Sequence, residues 1–364
     1  MTSPGCPSRF AGVSRPAAVG VLIALGALIV FSLFQAGPAR LGDREPAAPS
    51  ANTDIGLYRA IVARVRAGQS YEAAALTEQR ALNFPRRPFL VVRPPALALV
   101  LARLPTERAA YWLLDLLTAL VVGAWAWRLR EACPGGAPVA AMVVFTGASW
   151  ALDSHGIIYY HEVWAGLLIA LSLVLRGERR FAAAVVLGLL AALVRELALP
   201  YLLVMGLFAV VEQRRAEAAA FAAALLIALG ALALHAHAVM AMVGPNELAS
   251  SGWVKLGGWA FVLSTVQNLA VLMTGLWMAA LLLPMALLGA IGWKNPIGAR
   301  LTMLLMGYGL GFMVIGRPVN SYWGIMTAPL MAVALCLAPA ALHDLCGRSR
   351  RQPSPAALTI RARA

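Results

Sequence analysis

Long apolar stretches recur along the chain, and short segments between them carry most of the charged residues. Roughly 20 apolar residues in a helix cross the hydrocarbon core of a bilayer, and most of these stretches approach that length. They lie near 16–34, 109–127, 137–152, 157–175, 180–198, 199–211, 216–243, 268–292, 299–316 and 321–342. The pattern predicts an all-α polytopic membrane protein with about ten transmembrane helices.

The segment 36–108 interrupts this pattern and is predicted to form the first loop outside the membrane. Asn52-Thr53-Asp54 is a good helix start, and Ile55, Tyr58, Val62 and Val65 follow at helical spacing. This spacing predicts an amphipathic helix that lies on the bilayer surface. The apolar residues 89–104 are too few to span comfortably and contain Arg93-Pro94-Pro95, so they are predicted to form a juxtamembrane or re-entrant helix.

Composition excludes a water-soluble enzyme. The 364 residues are 61% hydrophobic and 13% charged, with a mean hydropathy of +0.76, whereas a soluble domain carries about 25% charged residues. The net charge of +14 fits cytoplasmic loops, anionic lipid and phosphate ligands. Nucleic-acid binding is not expected, because no basic patch alternates with aromatic residues outside the apolar stretches.

The basic loops also predict an orientation. They fall on one side of the membrane only if 89–104 does not cross, which puts both termini in the cytoplasm and 36–108 in the periplasm. The first apolar run exceeds the roughly 7–15 residues of a signal-peptide core and is expected to remain as a span. We therefore expect an inner (plasma) membrane protein with one membrane domain, 1–347, and a disordered basic tail, 348–364.

The polar residues of greatest interest gather on the predicted outer side. Ionisable groups near membrane spans are costly and usually functional. The candidates are Asp54, Tyr58, Arg93, Asp153, His155, His161, Glu162, Arg195 and Glu196, with His235, His237, Lys255, Arg317 and Asn320 on the same side. Few of them lie near mid-span, so the pattern suggests a cavity at headgroup level rather than a transporter site at the bilayer centre.

The same residues would also fit purely structural roles, and these interpretations stay open. Asp54 would also serve as a helix cap or first-turn acid, and Arg93 would also snorkel to a lipid phosphate. Arg195 and Glu196 would also form a structural ion pair at the end of a span. The four cysteines are scattered and do not have the spacing of a zinc site.

Several segments in order resemble the polytopic membrane glycosyltransferases of the C superfamily (GT-C), especially bacterial mannosyltransferase-like members. The resemblance covers roughly residues 50–200. It rests on Thr53-Asp54-Ile55-Gly56-Leu57-Tyr58-Arg59-Ala60-Ile61, Arg93-Pro94-Pro95-Ala96-Leu97, Asp153-Ser154-His155-Gly156-Ile157-Ile158-Tyr159-Tyr160-His161-Glu162 and Leu193-Val194-Arg195-Glu196-Leu197-Ala198.

This resemblance implies hexosyl or pentosyl transfer with inversion at the periplasmic face. The implied donor is a polyprenyl-phosphate-linked sugar, and the implied acceptor is a periplasmic glycan, lipid or protein. Asp54 stands where such enzymes keep a general base, and Glu162, or else Asp153, stands near their second acid. Where many relatives carry two adjacent acids, this chain has Thr53-Asp54, so dependence on a divalent cation such as Mg²⁺ or Mn²⁺ stays open.

Two other functions fit the same residues. A transporter or flippase of lipid-linked saccharides would need a polar path to the cytoplasmic side. A non-catalytic protein of an envelope-assembly complex would keep the outer acids apart, each satisfied locally. Convergence of Asp54 and Glu162 on one pocket would favour the enzyme over both.

Overall fold

The computed structural model describes residues 8–36, 54–132, 156–177, 180–252, 254–267 and 276–350. These residues are helical, and β-structure among them is limited to isolated bridges. In chain order the α-helices are α1 Arg15–Gln35, α2 Asp54–Arg66, α3 Tyr71–Ala81, α4 Ala96–Arg103, α5 Glu107–Ala132, α6 His161–Leu175, α7 Ala182–Val194, α8 Leu199–Val211, α9 Arg215–Met240, α10 Gly258–Gln267, α11 Leu276–Gly292, α12 Pro296–Val314 and α13 Ala328–Arg350. Short 3₁₀-helices occupy Arg9–Gly12, Phe89–Val91, Ile157–Tyr159, Glu196–Ala198 and Pro318–Thr327.

Five helical segments are long and apolar enough to cross a membrane, and four shorter apolar helices accompany them. The long segments are Arg15–Gln35, Glu107–Arg130, Arg215–Met240, Pro296–Val314 and Val319–Gly347. The shorter ones are His161–Leu175, Ala182–Val194, Glu196–Val211 and Leu276–Gly292. The all-helical class is confirmed for the described residues, and the helices that could cross a membrane support the membrane character of the sequence. The number ten stays a prediction, and its segment 137–152 lies outside the described residues.

The short helix α6 is buried along most of its length, from His161 to Val174. Its 15 residues give about 22 Å of helix, less than the roughly 30 Å hydrocarbon core of a bilayer. Polar residues mark both ends, because Glu162 lies in its first turn and Arg176 follows its last residue. We call the end that carries Glu162 the site end, and the end that carries Arg176 the opposite end.

Buried ion pairs tie the helices together at the opposite end. Arg176 Nε lies 2.8 Å from Glu217 at the start of α9, and its Nη2 lies 2.7 Å from Glu212 just after α8. The same Glu212 lies 2.7 Å from Arg300 of α12. Both arginine side chains are buried. These pairs fix the ends of α6, α8, α9 and α12 relative to one another, and therefore also the site end of each short helix.

The amphipathic helix predicted after Asp54 is present as α2, but its apolar face does not lie on the bilayer. Leu57, Ile61 and Val62 are buried in a core shared with α3 and α4. The sequence interpretation missed α3, whose buried residues include Ala74 and Leu76. Because protein covers the apolar face of α2, the surface-helix prediction is wrong on this point.

Two local breaks agree with the sequence predictions. The helix α4 has 8 residues, about 12 Å, and is too short to cross the membrane. The helix α7 ends at Val194, Arg195 is extended, and α8 begins one residue before Pro200, where the sequence predicts a boundary. This second break turns Arg195 away from the helical path and directs it into the site end.

Candidate functional site

The site forms where the start of α2 meets the start of α6. Ile55 of α2 packs against Gly156, which has a φ of 99° and no room for a Cβ atom. The amide of Gly156 donates a hydrogen bond of 2.8 Å to the hydroxyl of Tyr111 in α5. This turn leads through the 3₁₀-helix Ile157–Tyr159 to the first residues of α6. Asp54 therefore comes close to the first turn of α6.

Arg93 is a buried cation held by tyrosines. Its Nε donates to the hydroxyl of Tyr58 at 3.0 Å, and its Nη2 donates to the hydroxyl of Tyr322 at 2.5 Å. The hydroxyl of Tyr71 donates to the backbone carbonyl of Arg93 at 2.7 Å. Among the described residues, no carboxylate lies within ion-pair distance of this guanidinium. Arg93 is 8% exposed, so the interpretation that it snorkels to lipid is wrong.

Arg195 lies between two carboxylates. Its Nε is 2.7 Å from Glu162 Oε1, and its Nη1 is 2.5 Å from Glu196 Oε1. The side chains of Arg195 and Glu162 are 0% and 2% exposed. The Nε–H direction is too far off line for a good hydrogen bond to Glu162, and Nη2 has no partner among the described residues. Arg195 thus pairs with Glu162 and leaves its Nη2 group available to donate hydrogen bonds to a ligand.

The predicted second acid is therefore not a free carboxylate. Glu162 is buried against Arg195, which favours a structural or positioning role for it. Its neighbour His161 is buried too, and the His161 ring meets the Tyr58 ring edge-on with centroids 5.1 Å apart. His161 Nε2 has no hydrogen-bond partner in the part of the chain that the structure describes.

Asp54 is the first residue of α2 and is half-buried. Burial raises the pKa of Asp54 above its ordinary value, and the charge of Glu162 raises it further, while Arg93 and Arg195 pull it down. Burial is the largest of these effects and the net direction is upward.

The surroundings also shift the pKa values of Tyr58 and Arg93. Burial raises the pKa of Tyr58 well above its ordinary value of 10.0, so this hydroxyl stays protonated. Although burial alone would lower the pKa of Arg93, the neighbouring tyrosines and carboxylates raise it. Arg93 therefore remains charged while buried, a state that an anionic ligand would stabilise.

The structure brings together seven of the nine predicted site residues. They are Asp54, Tyr58, Arg93, His161, Glu162, Arg195 and Glu196. The other two, Asp153 and His155, lie outside the described residues. The sequence interpretation missed Tyr322, which lies 229 positions from Arg93 in the chain, and no local pattern connects the two. Lys255, considered as a further cation, is exposed on a loop.

The described residues do not favour a metal centre. No group of three or more His, Cys, Asp or Glu side chains among them is arranged to hold a metal ion. Glu162 and Glu196 both face Arg195, whose positive charge opposes a cation at the same place.

Comparisons with protein-family models, curated proteins and solved structures found no match to this chain. The class that fold and site together define is a helical membrane protein with a buried acid–arginine–tyrosine cluster at one end of its helices.

Proposed function

We propose that the protein is a membrane glycosyltransferase. It transfers a sugar from a polyprenyl-phosphate-linked donor to an acceptor at the periplasmic face, with inversion. One observation carries the proposal: Asp54, a half-buried carboxyl group with a raised pKa, lies within electrostatic reach of the buried Arg93 and Arg195, and Arg195 Nη2 has no hydrogen-bond partner among the described residues. A base and a phosphate-binding group are the two elements that this reaction needs.

The roles follow from the positions of the groups. Asp54 accepts the proton of the acceptor hydroxyl as the acceptor oxygen attacks the anomeric carbon. The bond from that carbon to the phosphate oxygen breaks, and the electron pair leaves with the phosphate. Arg93 is positioned by Tyr58 and Tyr322 to stabilise the developing negative charge. One such contact typically lowers a barrier by about 3–4 kcal/mol.

A small apolar cavity lies next to the tyrosines that bind Arg93. Tyr58, Tyr71 and His161 line it, together with apolar side chains of α2 and α4. Tyr58 and Tyr71 bind Arg93 as well, so an anion at Arg93 and an apolar group in the pocket would be immediate neighbours. The cavity has a volume of about 10 Å³, the space of a single water molecule, so an isoprenoid unit would enter it only if the lining side chains moved apart.

The alternatives receive less support from the described residues. A flippase needs a polar path between the two ends, but α6 is apolar from 163 to 171 and most of that stretch is buried. A non-catalytic protein would keep the acids apart, whereas Glu162 lies close enough to Asp54 for its charge to raise the pKa of Asp54.

The test is Asp54→Asn, which keeps the shape and a helix-start residue but removes the base. Membranes from producing cells receive short-chain polyprenyl-phosphate donors with labelled hexose or pentose. Label that moves into the lipid and polymer fractions is measured. We expect transfer at least about 100-fold below wild type, the lower range for losing a positioned base.

Asp115→Asn is the matched control, because Asp115 is exposed on α5 and is not one of the site residues. It should transfer sugar like wild type. Size exclusion and thermal unfolding check that each variant is folded. Transfer by Asp54→Asn within a few-fold of wild type would refute the role of Asp54. A wild-type protein that consumes none of the donors would refute the proposed function.

A further inference from the structure

Besides His161 Nε2 and the Arg195 Nε–Glu162 Oε1 pair, four further buried polar atoms near the site lack hydrogen-bond partners among the described residues. They are Arg195 Nη2, Glu196 Oε2, Asn320 Oδ1 and Trp323 Nε1. The first two belong to the break between α7 and α8, and the last two belong to the 3₁₀-helix Pro318–Thr327. Burying a donor or an acceptor without a partner is unfavourable, so four such atoms at one end of the molecule require an explanation.

Aromatic contacts connect these two elements. The hydroxyl of Tyr308 in α12 donates to the carbonyl of Leu197, next to Glu196, at 3.0 Å. The Tyr308 and Phe312 ring centroids are 6.0 Å apart, and those of Phe312 and Trp323 are 6.3 Å apart. The chain of rings leads from the α7–α8 break to Trp323. The unsatisfied atoms therefore border one aromatic region.

The 3₁₀-helix also connects this region to Arg93. Side chains three residues apart in a 3₁₀-helix lie on the same face, so Asn320 and Trp323 share one face. Tyr322 lies on the neighbouring face and binds Arg93. Arg93 and the Asn320–Trp323 face are therefore connected through the short helix that carries Tyr322.

The unsatisfied atoms have the chemistry of a polyhydroxylated ligand. Arg195 Nη2 and Trp323 Nε1 donate, whereas Glu196 Oε2 and Asn320 Oδ1 accept. Sugar hydroxyls both donate and accept, so a saccharide offers partners for groups of both kinds. Apolar C–H groups of a sugar pack on aromatic rings such as those of Trp323 and Phe312, while the indole N–H remains free to bond.

We propose that Arg195, Glu196, Asn320 and Trp323 form the subsite that binds the sugar of the lipid-linked donor. This inference rests on the proposed function and adds residues from the C-terminal part of the chain, beyond the reach of the resemblance. Asn320 and Trp323 are binding residues that select the sugar, whereas Arg93 binds the phosphate whichever sugar is attached.

The experiment measures binding rather than turnover, so that it separates the subsite from the reaction. Purified protein in lipid nanodiscs is titrated with a short polyprenyl phosphate and with the same lipid carrying a hexose or a pentose. Trp323→Phe keeps the ring and removes the N–H, and Asn320→Leu keeps the size and removes the amide. Trp277→Phe is the matched control, since Trp277 is 52% exposed on α11.

For wild type we expect one of the sugar-bearing lipids to bind at least about 10-fold more tightly than the bare phosphate lipid. Each subsite variant should lose about 3- to 10-fold of that preference, the size of one hydrogen bond. Its affinity for the bare lipid should change by less than about 2-fold, because Arg93 is untouched. Trp277→Phe should behave as wild type with both lipids.

Other outcomes overturn the proposal in distinguishable ways. Wild type that binds the bare and the sugar-bearing lipids equally would show that water alone satisfies the four atoms, and the proposed function would survive. Folded variants that keep the full preference for the sugar-bearing lipid would likewise refute the assignment of the subsite. Wild type that binds neither lipid would refute the proposed function together with the subsite. If both variants fail to fold, the wild-type comparison of the lipids still decides.

Discussion

Replacing Arg195 by methionine removes the cation that pairs with both Glu162 and Glu196 at the break between α7 and α8. Glu162 is 2% exposed, so its carboxylate would be left buried and without its counter-charge. Breaking a buried pair from one side costs about 3–5 kcal/mol. The unfolding entropy grows with chain length, so for 364 residues a loss of about 4 kcal/mol in the free energy of unfolding lowers the midpoint of thermal unfolding by roughly 5 °C.

The double variant Glu162→Gln with Arg195→Met tests the reasoning. Removing the charge of Glu162 relieves the uncompensated burial, so the double variant should recover more than half of the lost stability. Arg59→Met is the matched control, because the Arg59–Glu107 pair has a similar separation of 3.0 Å but exposures of 53% and 43%. Losing an exposed pair should cost about 0–1 kcal/mol.

The assay is thermal unfolding of the purified protein in one detergent, followed by circular dichroism and by intrinsic fluorescence. A midpoint for Arg195→Met equal to wild type would refute the claim that this pair carries stability. A double variant as unstable as the single one would show that the loss comes from packing around Arg195 rather than from the unpaired carboxylate.

Two further predictions follow from Asp54 and from the orientation. Because burial raises the pKa of Asp54 above 3.8, the native state holds this proton more tightly than the unfolded chain does, and stability falls as pH rises through the window above 3.8. Asp54→Asn should therefore unfold at a higher temperature than wild type at pH 7. This gain should vanish below pH 3.8. Equal midpoints of thermal unfolding at pH 7 would contradict the raised pKa of Asp54. Single cysteines at Ser70 and Arg130, both exposed, test the topology. An impermeant thiol reagent should label position 70 in intact cells but not position 130. The reverse result would put the candidate site on the cytoplasmic side.

Much of the helical fold follows from local pattern. Apolar runs predict the long helices because each must satisfy its own backbone within lipid. The start of α2 at Asp54 and the break before Pro200 have local signals, a capping sequence and a proline. The helix α3 was missed because it is short and rich in polar residues, and its apolar side becomes meaningful only against α2.

The candidate site is less predictable, because its contacts join distant parts of the chain. Asp54, Arg93, Glu162 and Arg195 stand out as charges at the ends of apolar segments, and the structure brings them together. Nothing in the sequence indicates that Arg195 pairs with Glu162 or that Tyr322 binds Arg93. The direction of the Asp54 pKa depends on burial, which the packing of α2 determines.

The length of α6 bears on what this cluster is able to bind. Glu162 and Arg176 are 14 positions apart, about 21 Å along a helix, whereas the hydrocarbon core of a bilayer is about 30 Å thick. Polar groups at both ends of so short a helix cannot both reach the membrane surfaces. If α6 crosses the bilayer, its missing length leaves the Glu162 end, the Arg176 end or both below the membrane surface. Under the proposed function, a donor whose phosphate is anchored by a lipid tail would approach a recessed Arg93 from within the bilayer. The packing of α2 that buries Asp54 raises the pKa of its carboxyl group, which makes that group better suited to act as a base.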